Sequence, residues 1–528
     1  MSMMNPKNAR RLGMATVACV AMATSALAQE VTLRSSDGTV NMTGNLVSFE
    51  NNTYTIETLL GPLRVQANRV TCSGEACPDL SVADVDLAIS GSEEIGAGLM
   101  PLLVEGFAGS KDAAADIGNT AIEGQFVAKL VGDQGFGEDI ANIQVTGSSA
   151  SEGIADLLAG RSDVAMTSRR MAPQEADALR AAGAGDMYSP AQEHILAVDS
   201  LIVVVHPDNP ISTMDVRQIF GIYSGAISNW SQIGGPDLPV QVVLRNIVGT
   251  NRQDAFESSF FGSADVQLTP DAEIVPSSNA VAQFVNQNPG AIGVVGYAFQ
   301  RGANTVNIIN QCGITMVPDA FSAKTEEYAL QRRLFLYTRA DSQNADAESF
   351  VDYASSEEVD GVLRKAGFIG FNVDRKEQAP SDLRGVALRN TAGGALEQQT
   401  AQRMLGQMQD FDRLSTTFRF RTGSSELDER ARIDKFRLID FLEDQPAGSE
   451  VLFVGFTDSV GRFDSNLNLA ERRAAQVADE VRASAGNSLS GVSITSVGYG
   501  EVAPSGCNES DQGRRINRRV EVWIKSPT

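Results

Sequence analysis

Gly455–Ala474, GFTDSVGRFDSNLNLAERRA, is the stretch from which the rest of the chain can be read. It begins at the end of the apolar run Val451-Leu452-Phe453-Val454, which reads as a buried strand. Thr457-Asp458-Ser459-Val460-Gly461 reads as a turn, and from about Ser465 the residues Leu467, Ala470, Ala474 and Val477 recur at roughly helical spacing. Asp458 therefore sits where a strand ends, and Arg473 lies on the helix 15 residues later. Such a strand–loop–helix unit holds an acceptor and a fork of donors in one groove. That suits a ligand carrying an ammonium and a carboxylate close together. Thr457 lies near the groove, and Asn466 shares a helix face with Arg473, about two turns away. Taken singly, Asp458 reads as a cap and Arg473 as a solvated helix residue. Their joint spacing favours a site.

Working outward, Phe418-Arg419-Phe420 opens a strand, and helix 429–443, strand 450–456, helix 465–484, strand 491–498 and strand 518–525 follow. TDSVG, NLNLAERRAAQV, GYGE at 498–501 and NRRVEV at 517–522 resemble, in order and spacing, the C-terminal domain of outer-membrane protein A, shared with peptidoglycan-associated lipoproteins. The resemblance covers about residues 415–525 and implies an OmpA-like α+β domain at 415–528. It also implies that Asp458 and Arg473 grip the diaminopimelate of the peptidoglycan stem peptide.

The chain has 528 residues, room for three or four domains, with the apolar and charged content of a globular protein. Its net charge of −23 argues against nucleic-acid binding, so any anion site must work locally, through amides and placed arginines. Residues 1–28 read as a secretory signal: Lys7, Arg10 and Arg11, then an apolar Leu12–Ala23, then the cleavage site Ala26-Leu27-Ala28. A twin-arginine signal at Arg10-Arg11 and a lipoprotein cysteine at Cys19 are weaker alternatives. No later run approaches the roughly 18 apolar residues of a membrane span. The expected location is the periplasm, in association with peptidoglycan and the outer membrane. Cys72 and Cys77 are expected to form a local disulfide, with zinc as the alternative; Cys312 and Cys507 are expected to be unpaired.

Residues 29–82 read as a small β-rich domain of short runs separated by Asp37-Gly38, Asn51-Asn52 and Gly61-Pro62. Residues 83–370 alternate strands (85–89, 143–146, 163–167, 201–206, 240–244, 292–296) with helices (96–108, 116–132, 152–159, 214–221, 252–260, 278–287). That order predicts an α/β architecture of two lobes with a ligand cleft. Several strand ends there offer hydroxyls, amides and guanidinium groups: Ser90-Gly91-Ser92, Ser149 and Ser151, Ser168-Arg169, and Arg245 with Gly249-Thr250. Together they favour an oxyanion cleft over mere helix caps.

SGSEEIG (90–96), DVAMTSR (163–169), VVVHPDNP (203–210), IFGIYSGAISNW (219–230), VVLRN (242–246) and NPGAIGVVGYA (288–298) resemble the periplasmic phosphate-binding proteins of ABC transporters. The resemblance implies a two-lobed periplasmic binding-protein fold that closes on phosphate or a similar anion. An ABC transporter or an outer-membrane protein is the partner it allows. The ligand residues depart from the family pattern: Val248 stands where a Ser is usual, Ser168 where some members have Asp, and Glu93-Glu94 where Thr is frequent. The rival reading is a retained scaffold that docks another envelope protein.

His194 and His206, the two histidines, are expected to be structural, and Glu93-Glu94 and Glu326-Glu327 to be solvated charges. Residues 371–414 read as a linker with one helix, whose stripe Leu396, Met404, Leu405, Met408 and Phe411 is expected to pack on a domain. No nucleophile–base pair, metal cluster or cofactor loop is legible, so neither an enzyme nor a cofactor is expected.

Overall fold

The computed structural model describes residues 30–35, 40–50, 53–59, 61–66, 70–74, 76–77, 85–122, 124–133, 138–245, 268–390, 393–420, 427 and 429–527. The expected signal, the turns at 37–38 and 51–52, and the expected helix 252–260 lie outside them. The chain forms two units, Met1–Pro78 and Asp79–Thr528. Among the described residues, no helix is long and apolar enough to cross a membrane.

The first unit is an antiparallel sheet in the order Gly61–Gln66, Thr53–Thr58, Asn41–Glu50, Glu30–Ser35, Val70–Ser73. Alternation sends Val31, Leu33, Tyr54 and Ile56 to one buried face, joined by Val70 and Cys72. A disulfide joins Cys72 to Cys77.

In the second unit, residues 87–338 build a mixed sheet around two long strands, Glu193–Val205 and Gln331–Thr338. On one side follow Val164–Thr167, Leu87–Ser92, Asp139–Ser148, Gln125–Gly132 and Ala113–Asn119; on the other, Ala291–Gly296, Gln241–Arg245 and Glu273–Val275. Glu193–Val205 runs through both halves. Its first part pairs with Gln331–Thr338 and its last part, from Leu201, with Ala291–Gly296. The architecture is the two-lobed α/β one that the sequence predicts. The expected helix 116–132 is instead a hairpin, Ala113–Asn119 against Gln125–Gly132, turning at Gly124 with φ +77°. His194 lies within the long strand, paired with Leu336, and His206 directly follows it; His206 Nδ1 accepts a hydrogen bond from the Asp208 amide.

The C-terminal sheet runs Arg375–Lys376, Asp412–Arg419, Arg519–Lys525, Glu450–Gly455, Ser493–Gly498. Val451, Leu452, Phe453 and Val454 are all buried, so this central strand needs cover on both faces. Val451 and Phe453 pack in a core with Leu438, Ala474, Val477 and Val481, from helices Glu429–Glu443 and Phe463–Ala485. Leu452, Val454 and Phe456 pack with Leu388, Met404 and Met408, from helices Leu383–Arg389 and Ala395–Met408. The segment expected as a linker thus forms the third layer and an edge strand of this domain. A short helix, Asp511–Asn517, precedes the last strand.

The two folded parts of this unit are bound together by charge and by a covalent bridge. Glu326-Glu327, expected at a charged surface, is built in. Glu327 accepts from Arg413 Nη1 at 2.9 Å, Arg384 Nη2 at 3.1 Å and Ser505 Oγ at 2.6 Å. Arg384, Arg413 and Arg519 also surround the fully buried Glu521. Burial alone would raise both carboxyls, but the arginines, Arg413 foremost at Glu327 and Arg384 at Glu521, hold them well below the ordinary range. Glu326 pairs with Arg419 at 2.7 Å and with Arg333. Cys312 and Cys507, expected to be unpaired, form a disulfide across 195 residues, because folding brings their Cα atoms to 5.7 Å.

Candidate functional site

The C-terminal groove is set by strand Glu450–Gly455, whose continuation lies between two neighbours. The Phe456 amide donates to Arg519 O and the Thr457 amide to Gly500 O, each at 2.8 Å. Gly455 is held against helix Phe463–Ala485 so closely that an added Cβ would meet Ala470 O at 2.0 Å. This approach places Thr457-Asp458 beside the first turns of the helix. Asp458 Oδ1 accepts from the Val460 amide and Oδ2 from Arg518 Nη1 at 2.7 Å. Asn466 Nδ2 donates to Asp458 O at 3.2 Å and to Glu501 Oε2 at 2.5 Å.

Arg473 lies with its guanidinium 5.0 Å from the Phe420 ring centre. Burial lowers its pKa and the neighbouring Arg518 lowers it further, while Asp458 opposes the shift. Among the described residues, its Nη1 is buried without a hydrogen-bond partner, as is Thr457 Oγ1. The four residues expected here are thus gathered around one turn. Sequence reasoning missed Arg518 and Glu501, although both lie in the quoted NRRVEV and GYGE motifs.

The expected anion site divides. Ser92 Oγ and Arg245 Nη2 do converge, and what they meet is Glu94: Oε2 accepts from Ser92 and Oε1 from Arg245, each at 2.6 Å. Arg332 Nη2 lies 3.8 Å from the same carboxylate, and its guanidinium is bound to the fully buried Asp199 at 2.8 Å. Burial would raise the Glu94 pKa, but Arg245, Arg332 and the Ser92 hydroxyl drive it far below the ordinary range. Glu94 is therefore a buried, paired anion rather than a solvated charge.

Gly91 passes so close to strand Val164–Thr167 that an added Cβ would meet Met166 O at 2.1 Å, and its φ of +134° favours glycine. Ser90, buried, lines a separate pocket with Gln125, Thr146 and Ser162. Ser149 caps helix Ala150–Ala159 in a reciprocal pair with Glu152. Arg169 is engaged by Glu175 at 2.8 and 2.6 Å and by Ser151 Oγ at 2.9 Å, and Ser168 is half-buried beside it. Gly249 and Thr250 lie outside the described residues.

Residues 117–358 match the PBP superfamily domain, and residues 419–518 match the OmpA family. The chain carries one domain of each. The phosphate-binding protein PstS of Borreliella burgdorferi is 23% identical over 190 residues, covering 34% of this chain and 66% of that protein. Outer membrane porin F of Pseudomonas aeruginosa is 36% identical over 114 residues, covering 22% of this chain and 32% of the porin. The peptidoglycan-binding protein ArfA of Mycobacterium bovis is 37% identical over 88 residues, covering 17% of this chain and 26% of that protein. The chain spans less than two thirds of the length of each of these relatives.

Proposed function

We propose that this is a cell-envelope protein that grips the diaminopimelate stem of peptidoglycan through its OmpA family domain and so holds its PBP superfamily domain at the wall. The observation that carries this reading is the groove at Asp458: a carboxylate for an ammonium, with Arg473 Nη1 and Thr457 Oγ1 buried beside it and unpartnered among the described residues. Unspent buried donors are costly unless a ligand takes them. The names of two relatives, a peptidoglycan-binding protein and an outer-membrane porin, agree with an envelope location. Co-sedimentation with diaminopimelate-type peptidoglycan tests the reading. Asp458→Ala and Arg473→Ala are each expected to leave the chain in the supernatant, and equal pelleting of parent and variants refutes the assignment.

For the PBP superfamily domain, the convergence of Ser92, Arg245 and Arg332 supports a site built for an oxyanion such as phosphate. The presence of Glu94 at that point supports the alternative, in which the scaffold has given up small-ligand binding and docks another envelope protein. A receptor held at the wall does not shuttle freely to an ABC transporter, so capture or sensing suits the oxyanion reading better than delivery. Melting of the full chain with phosphate or sulfate separates the two, since a ligand of the folded state raises its melting temperature.

A further inference from the structure

The donors of this cleft were expected to meet on a bound anion, and they meet on a side chain of the protein. Glu94 receives Ser92 Oγ and Arg245 Nη2 at 2.6 Å each, with Arg332 Nη2 at 3.8 Å. Arg245 is otherwise directed at Ser278 Oγ, 3.4 Å from Nη1, and has Glu93 Oε2 at 3.9 Å. Arg332 is committed to Asp199, whose other oxygen accepts the Tyr297 amide at 2.9 Å. Among the described residues, two guanidinium groups thus face the three carboxylates of Glu93, Glu94 and Asp199. A phosphate brought to this point adds negative charge to a cluster that already has an excess of it. Arg169, the other guanidinium expected to hold an anion, is closed in the same way by Glu175.

Glu94 also connects the two halves of the sheet. It follows strand Leu87–Ser92, whereas Arg245 ends strand Gln241–Arg245 on the far side of Glu193–Val205. It joins the two halves as a ligand in a two-lobed cleft does, but it is tethered, so its local concentration does not depend on the supply of free anion.

We propose that Glu94 is a tethered substitute for the ligand, and that this one residue makes the PBP superfamily domain of this chain refuse free phosphate-like oxyanions. The proposal goes beyond the wall-binding reading and does not depend on it, because its readout uses no peptidoglycan.

The test uses the full chain, inorganic phosphate and sulfate at millimolar concentration, melting curves and titration calorimetry. The parent is expected to show no shift and no binding heat. Glu94→Thr, which removes the carboxylate and keeps a hydroxyl, is expected to gain phosphate binding roughly tenfold or more tighter than any shown by the parent. Its melting temperature should rise with phosphate, and adding Arg245→Ala should abolish the gain. Far-UV circular dichroism and a cooperative melting transition serve as the folding control, and there the variant should match the parent. Should Glu94→Thr fail to fold, Glu94→Gln keeps the shape of the side chain and is read in its place. Phosphate binding by the parent overturns the proposal whatever the variants do. A folded Glu94 variant without phosphate binding overturns it as well.

Discussion

Asp458 is one carboxylate with two demands on it. Arg518 takes one oxygen at 2.7 Å, and the Val460 amide takes the other. If Arg518 orients the acceptor for its ligand, Arg518→Ala should weaken peptidoglycan binding. A hydrogen bond to a charged group is worth about 1.5–3 kcal/mol, so the loss should be roughly tenfold to a hundredfold. Unchanged pelleting in quantitative co-sedimentation would mean that Asp458 needs no such support. The neighbouring Arg519 has the opposite fate: it is fully buried against Glu521 at 2.8 Å, and burial brings its pKa down to about 10. Arg519 opens the last strand, whereas Arg518 caps the short helix before it and turns to Asp458. Which of them would meet Asp458 was not legible, because the partner is brought in from 60 residues away.

At the scale of elements, the unalternating run Val451–Val454 already implied a strand covered on both faces. One cover was readable in the amphipathic helix that follows. The other comes from Ala395–Met408, whose Met404 and Met408 are fully or almost fully buried. Each such side chain contributes about 1.5–3 kcal/mol on burial, enough to hold a segment that composition alone marks as a linker. The close approach of strand and helix gives a sharp expectation. Gly455→Ala forces a Cβ to 2.0 Å from Ala470 O, and overpacking of this kind costs about 1–3 kcal/mol. The urea midpoint of the second unit should fall, and an unchanged midpoint would mean that the helix yields without cost. The sequence predicts a helix at 116–132 because short apolar runs fit either period, and only pairing with Asp139–Ser148 selects the strand.

Over the whole second unit, the disulfide Cys312–Cys507 and the cluster of Glu327, Glu521, Arg384, Arg413 and Arg519 bind the PBP superfamily domain to the OmpA family domain. Cys312→Ser should lower the melting temperature, since losing a bridge that closes a long loop costs about 2–5 kcal/mol. Adding Glu327→Ala to it should split the calorimetric transition of this unit into two. A single cooperative peak in the double variant would mean that the apolar contacts suffice. The same cluster sets a dependence on acidity. Glu521 is depressed below its ordinary value of 4.5, so its contribution is complete above that range and is lost as pH falls towards its folded value. Stability should therefore drop progressively below about pH 5, and Glu521→Gln should flatten that slope in melting curves recorded across the acid range.

The sequence by itself determined the two-lobed α/β domain, the α+β domain behind it and the gathering of Thr457, Asp458, Asn466 and Arg473. Those features rest on local periodicity and on spacings within one strand–loop–helix unit. Only the tertiary structure decided the fate of the charges. Glu94 and Glu327 read as two members of acidic surface pairs. Glu94 became a buried anion and Glu327 a half-buried one because arginines distant in sequence, Arg245 and Arg332 for one and Arg384 and Arg413 for the other, reach them through the fold. Which carboxylate meets which guanidinium depends on how strands far apart in the chain are registered, and no local pattern carries that.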